Sequence, residues 1–476
     1  MKKALKIIGI ILLVVIIIGL TLGVLYYKTN LLDFAKNKKD LFFKYMGQNS
    51  EWTKKDGSLE LLEKMEKESY STNGKIYWNI EANMDEEIQE YLDVINGIEI
   101  IIEGKSDAKT GSSEAKVAIT NNNEELIDVD LIHGRDAMSF RVSQILDKYI
   151  TLENKDLDEL ADKLGIDAYA LESLFAEQIF TQKELKEMYE KYNKALCDSI
   201  KEENITRTKE TITVNGEETK VNAYTLTISQ KDAMDMATSL LKALREDDKL
   251  LEKVAEYVNQ INEAQYEGTT MTVQKITKNE MKMLISSLIY SLSQEVSYSE
   301  ETVQIVVYEK NGKTVQTKFQ TDEMSIVFEK TKNGEETKGV LRFIELEEEV
   351  FKIDIVVIEN KDNVQVNIST EIEEVKINFT GTNTKDYRSK VEFKIESEEV
   401  NLNLNVEENI KFEDVQIIKP TGNNVVLNDL TEEDALELMT EIEEGFMKYY
   451  EKNKSKFEEI LKPFVEDGLI EALPEI

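Results

Sequence analysis

Apolar and polar residues alternate with a period of two through most of the second half of the chain. Between residues 303 and 418, apolar residues occupy every other position in successive runs, as in Val400, Leu402, Leu404 and Val406. This spacing puts apolar side chains on one face of a β-strand and polar side chains on the other. The pattern predicts an antiparallel sheet that is exposed to water on one side.

The same alternation occurs in shorter runs earlier in the chain. It predicts strands at residues 76–80, 98–103, 115–120, 126–131 and 138–142. Residues 206–214 and 220–228 flank Asn215-Gly216, a dipeptide that favours the two-residue turn of a β-hairpin. Asn311-Gly312 and Asn333-Gly334 predict two further hairpin turns in the second half.

Apolar residues with helical spacing lie before, within and after the first group of strands. They predict helices at residues 31–46, 59–67, 86–94, 155–164 and 168–202. The first of these either touches lipid headgroups through its lysines or packs on its own domain. Ser229 is a suitable N-cap, with Asp232 at the third position, for one long helix whose apolar stripe continues to Ile261.

Two more helices are predicted from capping residues. Thr277 and Glu280 have the spacing of a capping box, for a helix that ends near residue 294. Thr431 with Asp434 is expected to begin a final helix. Because proline lacks the backbone N–H that a helix interior needs, we expect this helix to end before Pro463.

These elements predict an α+β fold, with an N-terminal transmembrane helix followed by long antiparallel meanders curled around amphipathic helices. The predicted regions are 1–6, a cytoplasmic tail; 7–27, a transmembrane anchor; 28–68, juxtamembrane helices; 69–202, a first strand-helix region; 203–297, a hairpin and long helices; 298–420, an antiparallel sheet; and 421–476, a C-terminal helical region. The order suggests one motif used twice. The halves do not align residue by residue, so duplication stays a hypothesis.

The predicted anchor is an uncharged apolar run near the N-terminus. Residues 7–27 read IIGIILLVVIIIGLTLGVLYY. A helix of this length rises roughly 31 Å, which matches a hydrocarbon core of about 30 Å. A cleaved signal peptide is the alternative, but its apolar region is usually about 7–15 residues and ends in a small-x-small site. Thr21-Leu22-Gly23 matches that site poorly, so an uncleaved anchor is expected.

Lysines flank this run at positions 2, 3 and 6 and at positions 28, 36, 38 and 39, so counting them does not settle the orientation. A basic patch before the first apolar run is also how secretory signals begin. We therefore expect a single-pass protein of the cell membrane with an extracytoplasmic body. Gly19 and Gly23 have the spacing of a helix-dimer motif, but one such match also arises by chance.

The charge of the chain narrows the choice of partners. There are 94 Asp and Glu against 58 Lys and Arg, a net charge of −36. Nucleic acids are excluded as partners, since affinity for phosphates comes from Lys and Arg. An anionic membrane surface is disfavoured for the same reason. Cations, basic proteins and apolar ligands suit this charge.

The sequence contains little catalytic chemistry. Cys197 and His133 are the single cysteine and the single histidine, which excludes an intrachain disulfide and a zinc site built from cysteine and histidine. Cys197 lies in a helical pattern, where a buried apolar role is expected. His133 lies in a turn, and acidic clusters such as Asp247-Asp248 and Glu347–Glu349 lack the loop pattern of a calcium site. We predict no catalytic residues, no metal, no cofactor and no enzymatic activity.

A combination of features resembles a known class of proteins. It consists of the anchor, the entry Phe42-Phe43-Lys44-Tyr45, the long meanders, and Asn428–Glu433 before the last helix. Together they resemble uncharacterised single-anchor surface proteins of Gram-positive-type bacteria. The order of strands and helices is more distantly similar to the half-barrel superfamily of lipoprotein carriers. In that superfamily a curled antiparallel sheet closes over helices and shelters an acyl chain.

Two functions follow from the pattern and the resemblance. The first is a membrane-anchored extracytoplasmic binding protein that shelters a lipid or another apolar ligand in its curled sheet. The alternative is a structural or protein-interaction component of the bacterial cell envelope. The partners expected are the membrane, through residues 7–27, and either an apolar ligand or an envelope protein.

Overall fold

The computed structural model describes residues 37–50, 58–82, 86–164, 180–214, 216–266, 275–293, 301–417, 420 and 423–466. The predicted anchor, residues 7–27, lies outside these ranges. Within them, no helix combines the length and the apolar character that crossing a bilayer requires. The chain divides into two units. Unit 1 comprises Met1–Lys55 and Gln178–Glu359, and unit 2 comprises Asp56–Glu177 and Asn360–Ile476.

The helices in the described residues are distributed along the whole chain. They are α1 (Lys38–Ser50), α2 (Ser58–Met65), α3 (Glu86–Asn96), α4 (Leu157–Leu164), α5 (Gln182–Ser199), α6 (Gln230–Arg245), α7 (Asp248–Tyr266), α8 (Lys278–Ser293) and α9 (Glu432–Glu466). Helices α1 and α5 to α8 belong to unit 1, and the others belong to unit 2.

The strands of the first half are interrupted by helices. They are β1 (Tyr70–Ala82), β2 (Ile98–Asp107), β3 (Ser112–Asn121), β4 (Glu124–His133), β5 (Ala137–Arg141), β6 (Tyr149–Glu153), β7 (Ile205–Val214) and β8 (Glu217–Ser229). Those of the second half are β9 (Thr302–Lys310), β10 (Lys313–Gln320), β11 (Met324–Asn333), β12 (Glu336–Glu345), β13 (Glu348–Glu359), β14 (Asn363–Ile372), β15 (Val375–Thr384), β16 (Arg388–Glu396), β17 (Val400–Phe412) and β18 (Asn424–Val426). The predicted α+β class with antiparallel meanders is confirmed.

Unit 1 contains a meander in which each strand pairs with the next along the chain, from β7 to β13. The β7–β8 hairpin predicted around Gly216 is present, and Gly216 has the positive φ of +82° that its turn requires. On one face of the sheet, Ile305 lies opposite Leu226, and Val307 lies opposite Tyr224. This face meets helices α1, α5 and α6.

Helix α1 closes the core of unit 1. It contacts β7, β8, β9 and β10. Phe42 and Phe43 are 0% exposed and pack against each other edge to face, with ring centroids 5.4 Å apart. Full burial of one such side chain contributes about 1.5–3 kcal/mol. The helix at this position therefore packs on its own domain, and its apolar face is the main reason that these strands have a dry core.

The opposite face of the same strands is also packed. Val221, Ala223, Val306 and Tyr308 form a second buried cluster there. The prediction of a sheet exposed to water on one side is therefore wrong for this part of unit 1. Alternation of apolar and polar residues indicates which face is more apolar, but it does not show that the other face is exposed to water.

The long helix predicted after Ser229 is two helices, α6 and α7. Asp247 separates them, because its Oδ1 accepts a hydrogen bond from the backbone N–H of Leu250 at 3.2 Å and so caps the second helix. The same carboxylate also accepts from Tyr192 at 2.9 Å and pairs with Lys191 at 2.8 Å. The apolar stripe therefore continues from α6 into α7, although the helix itself is interrupted between them.

Unit 2 contains a sheet with the order β14-β15-β16-β17-β1-β2-β3-β4-β5-β6-β18. Neighbouring strands are antiparallel, except that β18 runs parallel to β6. The earliest strand, β1, lies inside the sheet and pairs along its whole length with β17, from Tyr70 opposite Phe412 to Ala82 opposite Val400. Lys64 of α2 lies over the rings of Phe412 and Tyr387, 4.0 and 4.8 Å from their centroids.

The predicted capping residues are confirmed. The backbone N–H of Glu280 donates to Thr277 Oγ1 at 3.2 Å, and the backbone N–H of Asp434 donates to Thr431 Oγ1 at the same distance. Ser229 and Asp232 form a complete capping box.

The prediction that the final helix ends before Pro463 is wrong. The helix continues to Glu466. Its interruption lies at Asn453, which has φ −113° and ψ 15° and whose side chain donates to the carbonyl of Tyr449 at 2.9 Å. That side-chain hydrogen bond competes with the helical ladder, so the helix bends at the asparagine. A proline removes one hydrogen bond from a helix, and here the helix continues for three residues beyond it.

Candidate functional site

The candidate site is the apolar face of the unit 2 sheet. Directly opposed residues on neighbouring strands point to the same side of a sheet. Ile76 of β1 lies opposite Val406 of β17 and Ile100 of β2. Val406 in turn lies opposite Val391 of β16. An apolar row therefore passes from strand to strand without a break at the β17–β1 junction.

Two rows define this face. The first contains Val366, Gly381, Val391, Val406, Ile76, Ile100, Ile119 and Ile127, one residue on each of eight neighbouring strands. The second contains Ile368, Phe379, Phe393, Leu404 and Trp78. We call these two rows the apolar face of unit 2. At about 4.8 Å per strand, the first row extends over roughly 34 Å.

The apolar face of unit 2 is only half-buried. Ile76, Ile100, Val391 and Phe393 all have intermediate exposure, and Ile119 is 36% exposed. The fully buried cluster among the described residues of this unit is small, formed by Leu152, Leu157, Leu160 and Ala161 beside α4. The described helices therefore do not seal this face from solvent.

Helix α3 covers the face at one point. The indole Nε1 of Trp78 donates to the carbonyl of Ile95 at 2.8 Å. The side chain of Asn96 donates to the carbonyl of Ile80 at 2.8 Å and accepts from its backbone N–H at 2.7 Å. These hydrogen bonds hold the C-terminal end of α3 against β1, next to the apolar row.

Unit 2 also contains a polar recess. It is a cleft of about 670 Å³ across β15, β16, β17, β1 and β2. Lys390 Nζ donates to Glu407 Oε1 at 2.9 Å, and the hydroxyl of Tyr77 donates to the same atom at 3.1 Å. The hydrogen bond with Lys390 lowers the pKa of Glu407 below its ordinary value and raises the pKa of Lys390 above its own. These paired charges offer hydrogen bonds to a polar molecule but no reactive group.

The two residues with the most reactive side chains, Cys197 and His133, belong to different units. Cys197 is 1% exposed in the core of unit 1, and its burial raises the pKa of the thiol to about 12. At such a pKa the nucleophilic thiolate is scarce near neutral pH. His133 is exposed at the end of β4 in unit 2, opposite Ser113. The buried role predicted for Cys197 is confirmed, and the histidine is on the surface as predicted.

The acidic clusters have structural roles. Asp247 is the helix cap described above, and Asp248 pairs with Lys278 and Lys282. Glu347 lies in the exposed turn between β12 and β13, and Glu348 and Glu349 are exposed at the start of β13. Across the residues that the structure describes, no three or more His, Cys, Asp or Glu side chains are placed to hold a metal ion.

Sequence reasoning predicted most strands of this face one by one but did not predict that β17 and β1 are neighbours. One signal was present. Residues 70–82 and 400–412 are equally long, and their apolar positions match when the two segments run antiparallel. Because many other strands of the chain alternate in the same way, this match alone does not identify β17 as the neighbour of β1.

Comparisons with known proteins assign no family. No family model matches the chain, and no curated protein matches it either. Among solved structures, it is similar to a mutant porin of Rh. blastica, with 8% identity over 72% of this chain and 99% of that chain and a TM-score of 0.19. It is also similar to the intact Ap-TbpB with its N and C lobes, with 7% identity over 72% and 77% of the two chains and a TM-score of 0.12.

A mutant of Transferrin Binding Protein B from Haemophilus parasuis Hp5 gives a similar result, with 7% identity over 73% of this chain and 76% of that chain and a TM-score of 0.12. TM-scores this low show no common global fold.

Proposed function

We propose that the chain is a non-catalytic binding protein of the cell envelope, and that the apolar face of unit 2 holds an apolar ligand such as the acyl chains of a lipid. The observation that supports this most directly is the half-buried state of two continuous apolar rows. Soluble proteins bury such rows, because apolar surface removed from water contributes about 25 cal/mol per Å². A ligand on this face would contribute the burial that the described helices leave incomplete.

The dimensions suit this class of ligand. The longer row extends over roughly 34 Å, whereas one acyl chain spans about half of a 30 Å hydrocarbon core. The backbone of a central strand is fully hydrogen-bonded within the sheet, so the face offers side chains alone and few polar groups. It therefore selects for apolar character and length more than for a particular headgroup.

We further propose that residues 7–27 anchor the chain in the cell membrane with the body outside the cytoplasm. Support comes from the length and the uncharged composition of that segment. An anchored protein with this ligand would receive lipid at the membrane and keep it there. Digestion of the body by protease added to intact cells tests the orientation, and resistance until the cells are lysed would contradict it.

The experiment for ligand binding uses the purified full-length chain. Organic extraction followed by mass spectrometry measures co-purified lipid per chain, and titration with the neutral fluorophore N-phenyl-1-naphthylamine measures the affinity for an apolar probe. Phe393→Asn places an amide in the middle of the apolar face. We expect it to weaken the binding of the probe by about tenfold, because the face loses one apolar side chain that the bound probe would bury.

Lys394→Asn is the matched control. It introduces the same residue at the next position of β16, where the side chain points to the opposite face. It is expected to change the affinity less than about twofold. The proposal fails if the protein carries no lipid and takes up no probe, or if both variants bind the probe equally well.

The alternative, a structural or protein-interaction component of the envelope, is supported by the net charge of −36. It predicts association with a basic partner that weakens as salt rises. Cross-linking of the full-length protein at low and high salt separates the two functions, because capture of an apolar ligand does not weaken with salt.

A further inference from the structure

The turn between β12 and β13 carries residues that its geometry disfavours. Glu345 pairs with Glu348, so the loop consists of two residues, Leu346 and Glu347, with φ of +50° and +73°. Two-residue hairpin loops with positive φ favour Asn-Gly, since larger side chains are crowded in the left-handed region. The β9–β10 turn of the same sheet follows this rule, with Asn311 at φ +54° and Gly312 at +77°.

This turn is also apolar and highly exposed. Leu346 is 74% exposed, Val350 60% and Met324 53%. The three side chains belong to adjoining elements at one end of the sheet. The backbone N–H of Leu346 donates to the carbonyl of Glu323 at 3.0 Å, and Met324 lies opposite Glu345. We call Met324, Leu346 and Val350 the apolar tip.

Carboxylates surround the apolar tip. They are Asp322, Glu323, Glu345, Glu347, Glu348 and Glu349, all of them exposed. Glu349 makes an ion pair with Arg342 at 3.3 Å. The carboxylates around the tip would be repelled by the anionic headgroups of a bilayer surface, and zwitterionic headgroups carry no net positive charge to attract them. An apolar centre with an acidic rim is instead complementary to a protein surface of the opposite design.

We propose that the apolar tip inserts into an apolar socket on a protein partner, and that lysine and arginine residues on the rim of the socket pair with the surrounding carboxylates. Leu346 would fill the centre of the socket, where a truncated side chain weakens binding most. The carboxylates would guide the encounter and set its salt dependence. The proposal concerns unit 1 and does not depend on ligand binding by unit 2.

The first test measures whether Leu346 and Glu347 stabilise the folded protein. The double variant Leu346→Asn/Glu347→Gly installs the favoured turn and should shift the urea midpoint of unfolding upwards. The reverse exchange in the neighbouring turn, Asn311→Leu/Gly312→Glu, should shift it downwards. A downward shift for the first variant would mean that the native pair stabilises the hairpin, which would overturn the proposal.

The second test uses the photo-reactive residue p-benzoylphenylalanine at position 346 of the full-length protein in its native membrane fraction. We expect a discrete adduct with another protein, whose cross-linked peptide contains lysine or arginine. That protein is then purified. It should bind the triple variant Met324→Ser/Leu346→Ser/Val350→Ser, which keeps the net charge, at least tenfold more weakly than the unchanged chain, and both affinities should fall with salt.

The control variant Leu436→Ser removes an apolar residue that is 67% exposed on α9 of unit 2. It should leave the affinity for the purified protein unchanged. A lipid adduct, an adduct with a second copy of this chain, no discrete adduct, or equal affinity of the unchanged chain and the triple variant would each overturn the proposal.

Discussion

The two units use the same elements, antiparallel strands and amphipathic helices, but they bury their apolar faces to different extents. In unit 1, fifteen described residues form one buried cluster in which α1 closes the sheet. In unit 2, the buried cluster has four members, although its apolar rows cross more strands. The alternation of apolar and polar residues along a strand therefore does not determine how completely its apolar face is buried. That depends on whether a helix with enough large apolar side chains lies on it.

The cause of the difference can be identified in particular residues. Helix α1 brings Phe42, Phe43 and Met46 to the face of unit 1, each with at most 1% exposure. Helix α3 reaches the face of unit 2 mainly at its end, through Ile95 and Asn96. The first unit has a filled core, and the second leaves two apolar rows half-buried. The following experiments test this comparison.

The largest expected effect is the loss of a large side chain from the core of unit 1. Phe43→Ala should lower the free energy of unfolding by about 3–5 kcal/mol, because it leaves a cavity among fully buried residues. Phe393→Ala in unit 2 should cost only about 1–2 kcal/mol, since its half-exposed site can relax. Urea denaturation followed by circular dichroism measures both values. Equal losses would contradict the difference between the units.

Thiol accessibility gives a second, kinetic comparison. Cys197 in the core of unit 1 should react with a thiol reagent only when the unit opens, because its thiol is buried and its pKa is raised to about 12. In a Cys197→Ala background, Val391→Cys places the thiol on the apolar face of unit 2. We expect it to react at least about a hundredfold faster, as an accessible thiol does.

Protection of the new thiol at position 391 to the same degree as Cys197 would mean that the face of unit 2 is sealed. A saturating amount of N-phenyl-1-naphthylamine should slow its reaction, since the bound probe covers the face. Cys197 is the control, and its rate should not change with the probe.

Helix α9 of unit 2 depends on a close approach at Gly445. A Cβ added there would clash with the carbonyl oxygen of Ile145, so Gly445→Ala must move the helix or the loop. We expect a loss of about 1–3 kcal/mol in the stability of unit 2, typical of overpacking. Thr440→Ala, at an exposed position of the same helix, should stay within about 0.5 kcal/mol. A neutral result for both would show that α9 does not support the unit.

The smallest effect is expected from a surface ion network in unit 1. Glu184 pairs with Lys249 at 2.7 Å and Lys253 at 2.8 Å, and these hydrogen bonds lower the pKa of its carboxyl to about 2. A pKa lower in the folded state than in the unfolded state stabilises the fold above the ordinary pKa of Glu, and the contribution disappears as pH falls towards 2.

Glu184→Gln should therefore lower the unfolding midpoint slightly at pH 6, by an amount that shrinks as pH falls from about 4.5 to 2. Denaturation across this pH range measures the difference from the unchanged chain. A difference independent of pH would mean that the ionised carboxylate does not stabilise unit 1.

The sequence by itself determined several helix starts and hairpin turns. Ser229, Thr277 and Thr431 cap helices as predicted, and the turns at Gly216 and Gly312 join the expected strands. These signals act over a few residues, because a cap or a turn needs only its own backbone and one or two side chains. The burial of Cys197 was predictable for another reason, since free cysteine is among the most often buried residue types.

Tertiary structure decided which strands became neighbours and which faces became dry. Ile76 lies opposite Val406 across some 330 positions of sequence, and the alternation of either strand is compatible with many other partners. Asp247 caps α7 through the backbone N–H of Leu250, and only the tertiary structure brings Lys191 and Tyr192 of another helix to the same carboxylate. Pairing over such separations is selected by the packing of whole faces. A period of two or 3.6 states which side of an element is apolar, and only the assembled unit determines what that side meets.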